Sequence, residues 1–281
     1  MAILLDGKAM AAQLMADLQG RMDALRAQGI SVGLAVVLVG DDPASQVYVR
    51  NKAKACQELG IYSETIRLPQ ETTQQELEAL IDRLNQDDRF DGILVQLPLP
   101  RHLNEAAALR RILAEKDVDG FHIENAGKLF TGQNGVVACT PKGILHMLKA
   151  ANVPLSGKEA VVIGRSNIVG KPVAMLLLNE NCTVTLCHSR TADLAAHTRR
   201  ADILVAAVGR PRFVTADMVK PGAAVVDVGI NRVDGKVVGD VDFEAVERVA
   251  GYISPVPGGV GKMTIGMLME NTIEAAERKA R

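Results

Sequence analysis

The stretch VVIGRSNIVGKPVA, residues 161–174, decides the fold of the second half of this chain. The run EAVVIG (159–164) is almost continuously apolar, as in a strand buried on both faces. It stops at Gly164, and Gly170 opens an apolar helix with Pro172 in its first turn. A strand–turn–helix unit of this kind brings backbone N–H groups and the positive end of a helix dipole to one point, where a pyrophosphate can sit. The glycines are spaced G-x-x-x-x-x-G rather than GxGxxG, so the unit alone also reads as a βα turn without a ligand.

The same rhythm extends outward in both directions. Strands are predicted at 183–187, 203–206 and 224–228 on the C-terminal side, then a hairpin in INRVDGKVVGDVD (230–242) on its Asp-Gly turn. SPVPGGVG (254–261) leads into a long closing helix. On the N-terminal side the spacing predicts a strand in GLAVVLV (33–39), a helix over 44–59, a strand over 65–68, a helix over 73–85 and a strand over 92–96. A polar helix, the loop EKDVDGFH (115–122) and a helix over 141–150 follow. Short β-branched runs alternating with helices indicate an α/β protein with mostly parallel sheets. The change of unit near residue 138 divides the chain into a domain over 1–138 and a second over 139–269. The end of the closing helix (270–281) is expected to pack back on the first domain.

Composition narrows the function classes. With 281 residues and 48% apolar content, two ordinary domains can each bury a core. The formal net charge of −1 gives no reason to expect nucleic acid or an anionic membrane as partner. MAILLDGKAM carries no signal-peptide pattern, and charged residues interrupt every long apolar run, so a cytoplasmic, non-membrane protein is expected. The four cysteines form no CxxC pair and no His stands at ligand spacing, so no metal is expected.

Candidate dinucleotide residues follow from the strand ends. An NAD site usually has an acidic residue after its second strand, to hold the ribose 2′-OH. Here TVTLC (183–187) runs into His188-Ser189-Arg190-Thr191 with no acid, and Arg165 lies in the first turn beside Gly164 and Ser166. Guanidinium and hydroxyl groups at those two places suit a 2′-phosphate, which makes NADP the expected cofactor; the alternative is a set of solvated loop groups. Gly209 and Gly229 stand at later strand ends, on the nicotinamide side. In the first half, Tyr48 and Lys52 are spaced i, i+4 on one helix face, Gln96 is the single amide of an apolar strand, and Asp117 and Asp119 fall in one loop. Each of these alone reads as a surface contact or a loop.

Taken in order, YVRNKAKAC, DGILVQLPLP, EKDVDGFH, CTPKG, IGRSNIVGKP, CHSRT, DVGIN and PVPGGVGKMT resemble the bifunctional methylenetetrahydrofolate dehydrogenase/methenyltetrahydrofolate cyclohydrolase family over nearly the whole chain. The resemblance implies an N-terminal α/β folate-binding, catalytic domain and a C-terminal Rossmann-like dinucleotide domain with a cleft between them, in a homodimer. It implies NADP-dependent oxidation of 5,10-methylenetetrahydrofolate to 5,10-methenyltetrahydrofolate, then hydrolysis to 10-formyltetrahydrofolate, in one-carbon metabolism serving purine and amino-acid biosynthesis. Lys52 would be the catalytic lysine, with Tyr48 beside it and Gln96 orienting it, and Asp119 would grip the pterin. Leu97, Pro98, Pro257, Gly258 and Gly259 would border the folate. Arg165 and Ser189 would hold the 2′-phosphate, with Ile230 and Thr264 also on the cofactor. Lys262 stands where the family usually has proline. The alternatives are a single-activity NADP-dependent dehydrogenase of another small substrate and a noncatalytic folate or dinucleotide binder; neither has a use for the proton shuttle that Lys52 and Gln96 would form.

Overall fold

In the computed structural model, which describes residues 1–280, the elements run β1 (Ile3–Leu4), α1 (Gly7–Ala27), β2 (Gly33–Val39), α2 (Pro43–Leu59), β3 (Tyr62–Leu68), α3 (Gln74–Gln86), β4 (Gly92–Val95), α4 (Glu105–Arg111) and α5 (Ile123–Phe130). There follow α6 (Cys139–Ala150), β5 (Glu159–Ile163), α7 (Gly170–Asn179), β6 (Thr183–Cys187), α8 (Leu194–Thr198), β7 (Ile203–Ala206) and β8 (Ala224–Asp227). The chain ends with β9 (Asn231–Val233), β10 (Lys236–Val238), α9 (Phe243–Val246), β11 (Tyr252–Ile253) and α10 (Val260–Lys279).

Two compact units result. One holds residues 13–139 and 265–281, the other residues 1–12 and 140–264. A cut near 138 would leave the first 12 residues with the first domain. They belong to the other unit because β1 pairs in parallel with β11, Ile3 opposite Tyr252. Two residues are too few to show a strand period, and both Ile3 and Leu4 are exposed.

In the 13–139 unit a parallel three-stranded sheet runs β3-β2-β4. Every residue of the central β2, GLAVVLV, is buried. Edge strand β3 begins three residues earlier than its apolar end indicates: all seven of its residues pair with β2, so the partner and not its own polar composition sets its length. In the other unit six parallel strands run β1-β11-β8-β7-β5-β6. From β5 the chain goes to β6 on one side and then to β7 on the other, which makes the C-terminal ends of these strands a topological switch point. β9 and β10 form the expected hairpin, with Asp234 and Gly235 both at positive φ in its turn.

Asn271 joins the closing helix to the 13–139 unit. It is fully buried on α10, and its side-chain amide donates to the carbonyls of Val118 and Val137, both at 2.9 Å. Asn271→Ala should lower the unfolding free energy by roughly 1–3 kcal/mol, since both carbonyls lose the amide donor and the Val118 carbonyl keeps only the weaker Cys139 thiol. Urea unfolding of parent and variant measures this, and a loss below about 0.5 kcal/mol would contradict it.

Candidate active site

The local build of α2 sets the position of Lys52. The Asp42 carboxylate caps the helix by accepting the Ser45 N–H at 2.8 Å, Pro43 fills the first turn and Gly60 closes the end in the left-handed region. A buried stripe runs through Ser45, Val49, Lys52, Cys56 and Leu59 in alternating steps of four and three, with Ala55 buried beside it. Lys52 therefore occupies a core position, 8% exposed, where an apolar residue is expected. Tyr48, one turn earlier, is 44% exposed. The Lys52 ammonium donates to Gln96 Oε1 at 3.0 Å, and Gln96 Nε2 donates to the Leu97 carbonyl at 2.6 Å. That second bond fixes which end of the amide faces the lysine. Gln96 itself follows β4 directly and is pinned by its N–H on the Val37 carbonyl at 2.9 Å.

The two aspartates of the 115–122 loop divide their work. Asp117 is buried and spends both oxygens on the loop, accepting from the N–H groups of Gly120 and His122 and from Asn125 Nδ2. Asp119 is partly accessible. Desolvation raises its carboxyl above the ordinary value, the Lys52 ammonium acts in the opposite direction, and Asp117 adds to the rise. Lys52, Gln96 and Asp119 are thus brought together in this unit, with Leu97 and Pro98 next along the chain.

At the switch point of the larger sheet lies a cavity of about 390 Å³ lined by the ends of β5, β6 and β7, among them Gly164, Arg165, His188, Ser189, Thr191 and Arg210. Gly164 is at φ +118°, and a Cβ there would collide with the Ala207 carbonyl. A Cβ at Gly170 would likewise meet the Gly164 carbonyl. Both glycines are required by close backbone approach. The turn differs from its sequence reading in one respect. Val169 and Gly170 donate their N–H groups to Ser166 Oγ, and Lys171 to the Ser166 carbonyl. These donors are engaged inside the turn, so an anion at this end of α7 meets the helix dipole and not those N–H groups.

Of the other candidate cofactor residues, Ser166 shapes this turn, and Arg190 follows Ser189 but Thr191 takes its place in the cavity wall. Thr191 Oγ1 accepts the His188 N–H at 2.8 Å, which closes the turn after β6. Gly209 lies between the lining residues Val208 and Arg210. Ile230 is exposed and approaches Gly261, and Thr264 Oγ1 is 3.1 Å from Thr140 Oγ1, so both lie by the start of α10 and outside this cavity. Pro257, Gly258 and Gly259 belong to the same unit; the Gly258 carbonyl accepts the Lys8 N–H at 3.1 Å. Lys262 donates its N–H to the Gly259 carbonyl at 3.0 Å, a bond proline could not make. Arg210 escaped the sequence reading because nothing in GRPRF marks one arginine over the other.

Comparison with known proteins agrees over the full length. Residues 138–280 match the family model described as the NAD(P)-binding domain of tetrahydrofolate dehydrogenase/cyclohydrolase, and residues 5–119 match its catalytic domain. A bifunctional protein FolD from Paraburkholderia xenovorans is 61% identical, covering 99% of this chain and 98% of that one. A bifunctional methylenetetrahydrofolate dehydrogenase/cyclohydrolase from Campylobacter jejuni superposes with TM-score 0.97 at 52% identity, covering 99% of this chain and 100% of its own. A Trypanosoma brucei methylenetetrahydrofolate dehydrogenase-cyclohydrolase, in complex with NADP and an inhibitor, superposes at TM-score 0.94 and 40% identity, covering 100% and 99%.

One further carboxylate, in the unit that holds the six-stranded sheet, has a displaced titration. Asp227, at the end of β8, is 3% exposed, and burial pushes its carboxyl up to about 6 although three backbone N–H groups lower it. Because the folded value lies above the unfolded one, its contribution to stability is full below pH 4 and is lost as pH rises through 6. The unfolding free energy of the parent minus that of Asp227→Asn should therefore fall by up to about 3 kcal/mol between pH 4 and pH 7. A difference that is flat or rises over that range would contradict the assignment.

Proposed function

The chain belongs to the tetrahydrofolate dehydrogenase/cyclohydrolase family, and from that premise we propose how its residues divide two reactions. The protein is a bifunctional enzyme of one-carbon metabolism. It oxidises 5,10-methylenetetrahydrofolate to the methenyl form with NADP and hydrolyses that product to 10-formyltetrahydrofolate. The unit of residues 13–139 and 265–281 is the folate-binding, catalytic one, and the unit of residues 1–12 and 140–264 binds NADP. We read the enzyme as a cytoplasmic homodimer. No helix among the described residues is long and apolar enough to cross a membrane, and β3 offers a free sheet edge for pairing with a second copy.

In the first reaction the lone pairs of N5 and N10 expel hydride from the carbon between them, so no protein base is needed. NADP supplies the hydride acceptor when bound. The protein's part is placement. Arg165 and Ser189 hold the 2′-phosphate, Gly164, Ser166 and Arg190 shape the two turns around them, and Gly209, Ile230 and Thr264 serve the nicotinamide end. Asp119 pairs with the 2-amino group and ring N–H of the pterin, an interaction strengthened by the desolvation already acting on its carboxyl. Tyr48, Leu97, Pro98, Pro257, Gly258 and Gly259 border the folate.

The observation that carries the second activity is Lys52, a buried ammonium whose hydrogen-bond acceptor is a neutral amide. Water attacks the methenyl carbon, and ring opening then requires protons to move near N5 and N10. A lysine that accepts and returns a proton can serve both moves. Gln96 directs its Nζ without neutralising it, as a carboxylate in the same place would.

Lys52→Met keeps the apolar stem and removes the ammonium. Hydrolysis of added methenyltetrahydrofolate should fall roughly 10²–10⁴-fold, while hydride transfer survives in part and the methenyl absorbance accumulates in single turnover. Hydrolysis at the parent rate would remove Lys52 from this role. Arg165→Ala should raise the Michaelis constant for NADP by roughly ten- to a hundredfold, the loss of one charge-assisted hydrogen bond, and leave that for NAD nearly unchanged. An unaltered NADP constant would move the 2′-phosphate elsewhere.

A further inference from the structure

Behind the cofactor cavity lie two buried carboxylates, Asp227 and Asp240, that have no ion-pair partner among the described residues. Asp240 is fully buried. Its Oδ2 accepts the N–H groups of Val208 at 2.7 Å and Gly209 at 2.9 Å, and its Oδ1 accepts the Arg210 N–H and Asn231 Nδ2, both at 2.9 Å. Three consecutive N–H groups of the loop after β7 thus converge on one side chain. Asp227 holds Asp240 in turn, accepting the N–H groups of Asp240 at 2.8 Å and of Val241 and Gly229 at 2.9 Å. The β9–β10 hairpin carries Asp240 back to this position, and two glycines make room for it. A Cβ at Gly229 would collide with the Asp240 carboxylate, and one at Gly239 with the Asp227 carboxylate.

The loop held in this way is part of the cavity wall. Val208 and Arg210 line it with Arg165 and Ser189, and the Arg210 guanidinium lies 4.6 Å above the ring of Phe213, another lining residue. A buried carboxylate without a counter-ion is an expensive way to stabilise an exposed loop. Fixing one conformation of that loop is what the arrangement achieves. We propose that Asp240 is a positioning residue of the cofactor site: its carboxylate holds the 208–210 loop, and with it the Arg210 guanidinium, in the conformation that receives NADP. The inference rests on the assignment of NADP to this cavity.

Asp240→Asn turns an amide NH₂ toward N–H groups that now meet an oxygen. The dissociation constant for NADP, titrated directly in the absence of folate, should rise roughly ten- to a hundredfold. The Michaelis constant for NADP should rise with it. The dehydrogenase kcat at saturating NADP, and hydrolysis of added methenyltetrahydrofolate, should stay within about twofold of the parent. An unchanged dissociation constant would overturn the proposal, as would a parallel fall in both activities, which marks a general loss of structure. If the parent bound no NADP, the cavity assignment itself would fail and the inference with it. Amide exchange in the unsubstituted protein gives a test that needs no variant. Gly209 and Arg210 are exposed residues, yet their N–H groups should exchange slowly; exchange at open-loop rates would overturn the proposal.

Discussion

Close approach of backbone to backbone at the end of β5 is the constraint on which the cofactor half depends. Gly164 sits against the Ala207 carbonyl and Gly170 against the Gly164 carbonyl. With no Cβ on either, the chain leaves one strand, turns over Ser166 and enters α7 within a few residues. Arg165 is projected into the space between diverging strand ends as a result. The strands themselves, buried along their length, are what keep this narrow turn from relaxing. The folate half solves a different problem. There an apolar helix stripe admits one cation, and a single neutral amide, itself fixed by the strand it follows, directs that cation.

Charge is handled in opposite ways in the two halves. Around Lys52 the nearest hydrogen-bonding group is uncharged, and the carboxylate that feels the ammonium, Asp119, keeps its oxygens clear of the backbone N–H groups that occupy Asp117. Behind the cofactor cavity the carboxylates are saturated with N–H donors. The first arrangement leaves groups available for chemistry. The second removes them from chemistry and uses them as fixings. Net charge, close to zero over the chain, reveals neither arrangement.

Much of this was legible in the sequence where one element carries the whole signal. β2, β7 and β8 read as buried strands because all of their residues are buried, as are all but the first of β5, and the Asp-Gly turn marks its own hairpin. Motif strings brought Lys52, Gln96 and Asp119 together before any coordinates did. What stayed hidden depends on pairs distant in the chain. The two-residue strands β1 and β11 exist only through each other and β8. Helix α1 was not anticipated: Gly20 stands in its middle, and no acidic residue marks its first turn. Asp240 looks like one more acid in a hairpin until three N–H groups some thirty residues earlier are seen to converge on it. Thr191 joins the cavity wall, where its hydroxyl accepts the His188 N–H in a bond invisible in composition.

The route of the chain between its two units has a consequence for how the protein is made. Neither unit is a continuous segment: one takes the first 12 residues together with 140–264, the other takes 13–139 together with 265–281. On a ribosome the catalytic unit has its whole sheet in hand once Val95 is made, yet the carbonyls of Val118 and Val137 wait for Asn271. The nucleotide unit must likewise keep its first strand unpaired until residue 253 emerges. Both units therefore complete late and close together in time, so a half-made chain offers an open sheet edge and uncovered apolar surface to chaperones.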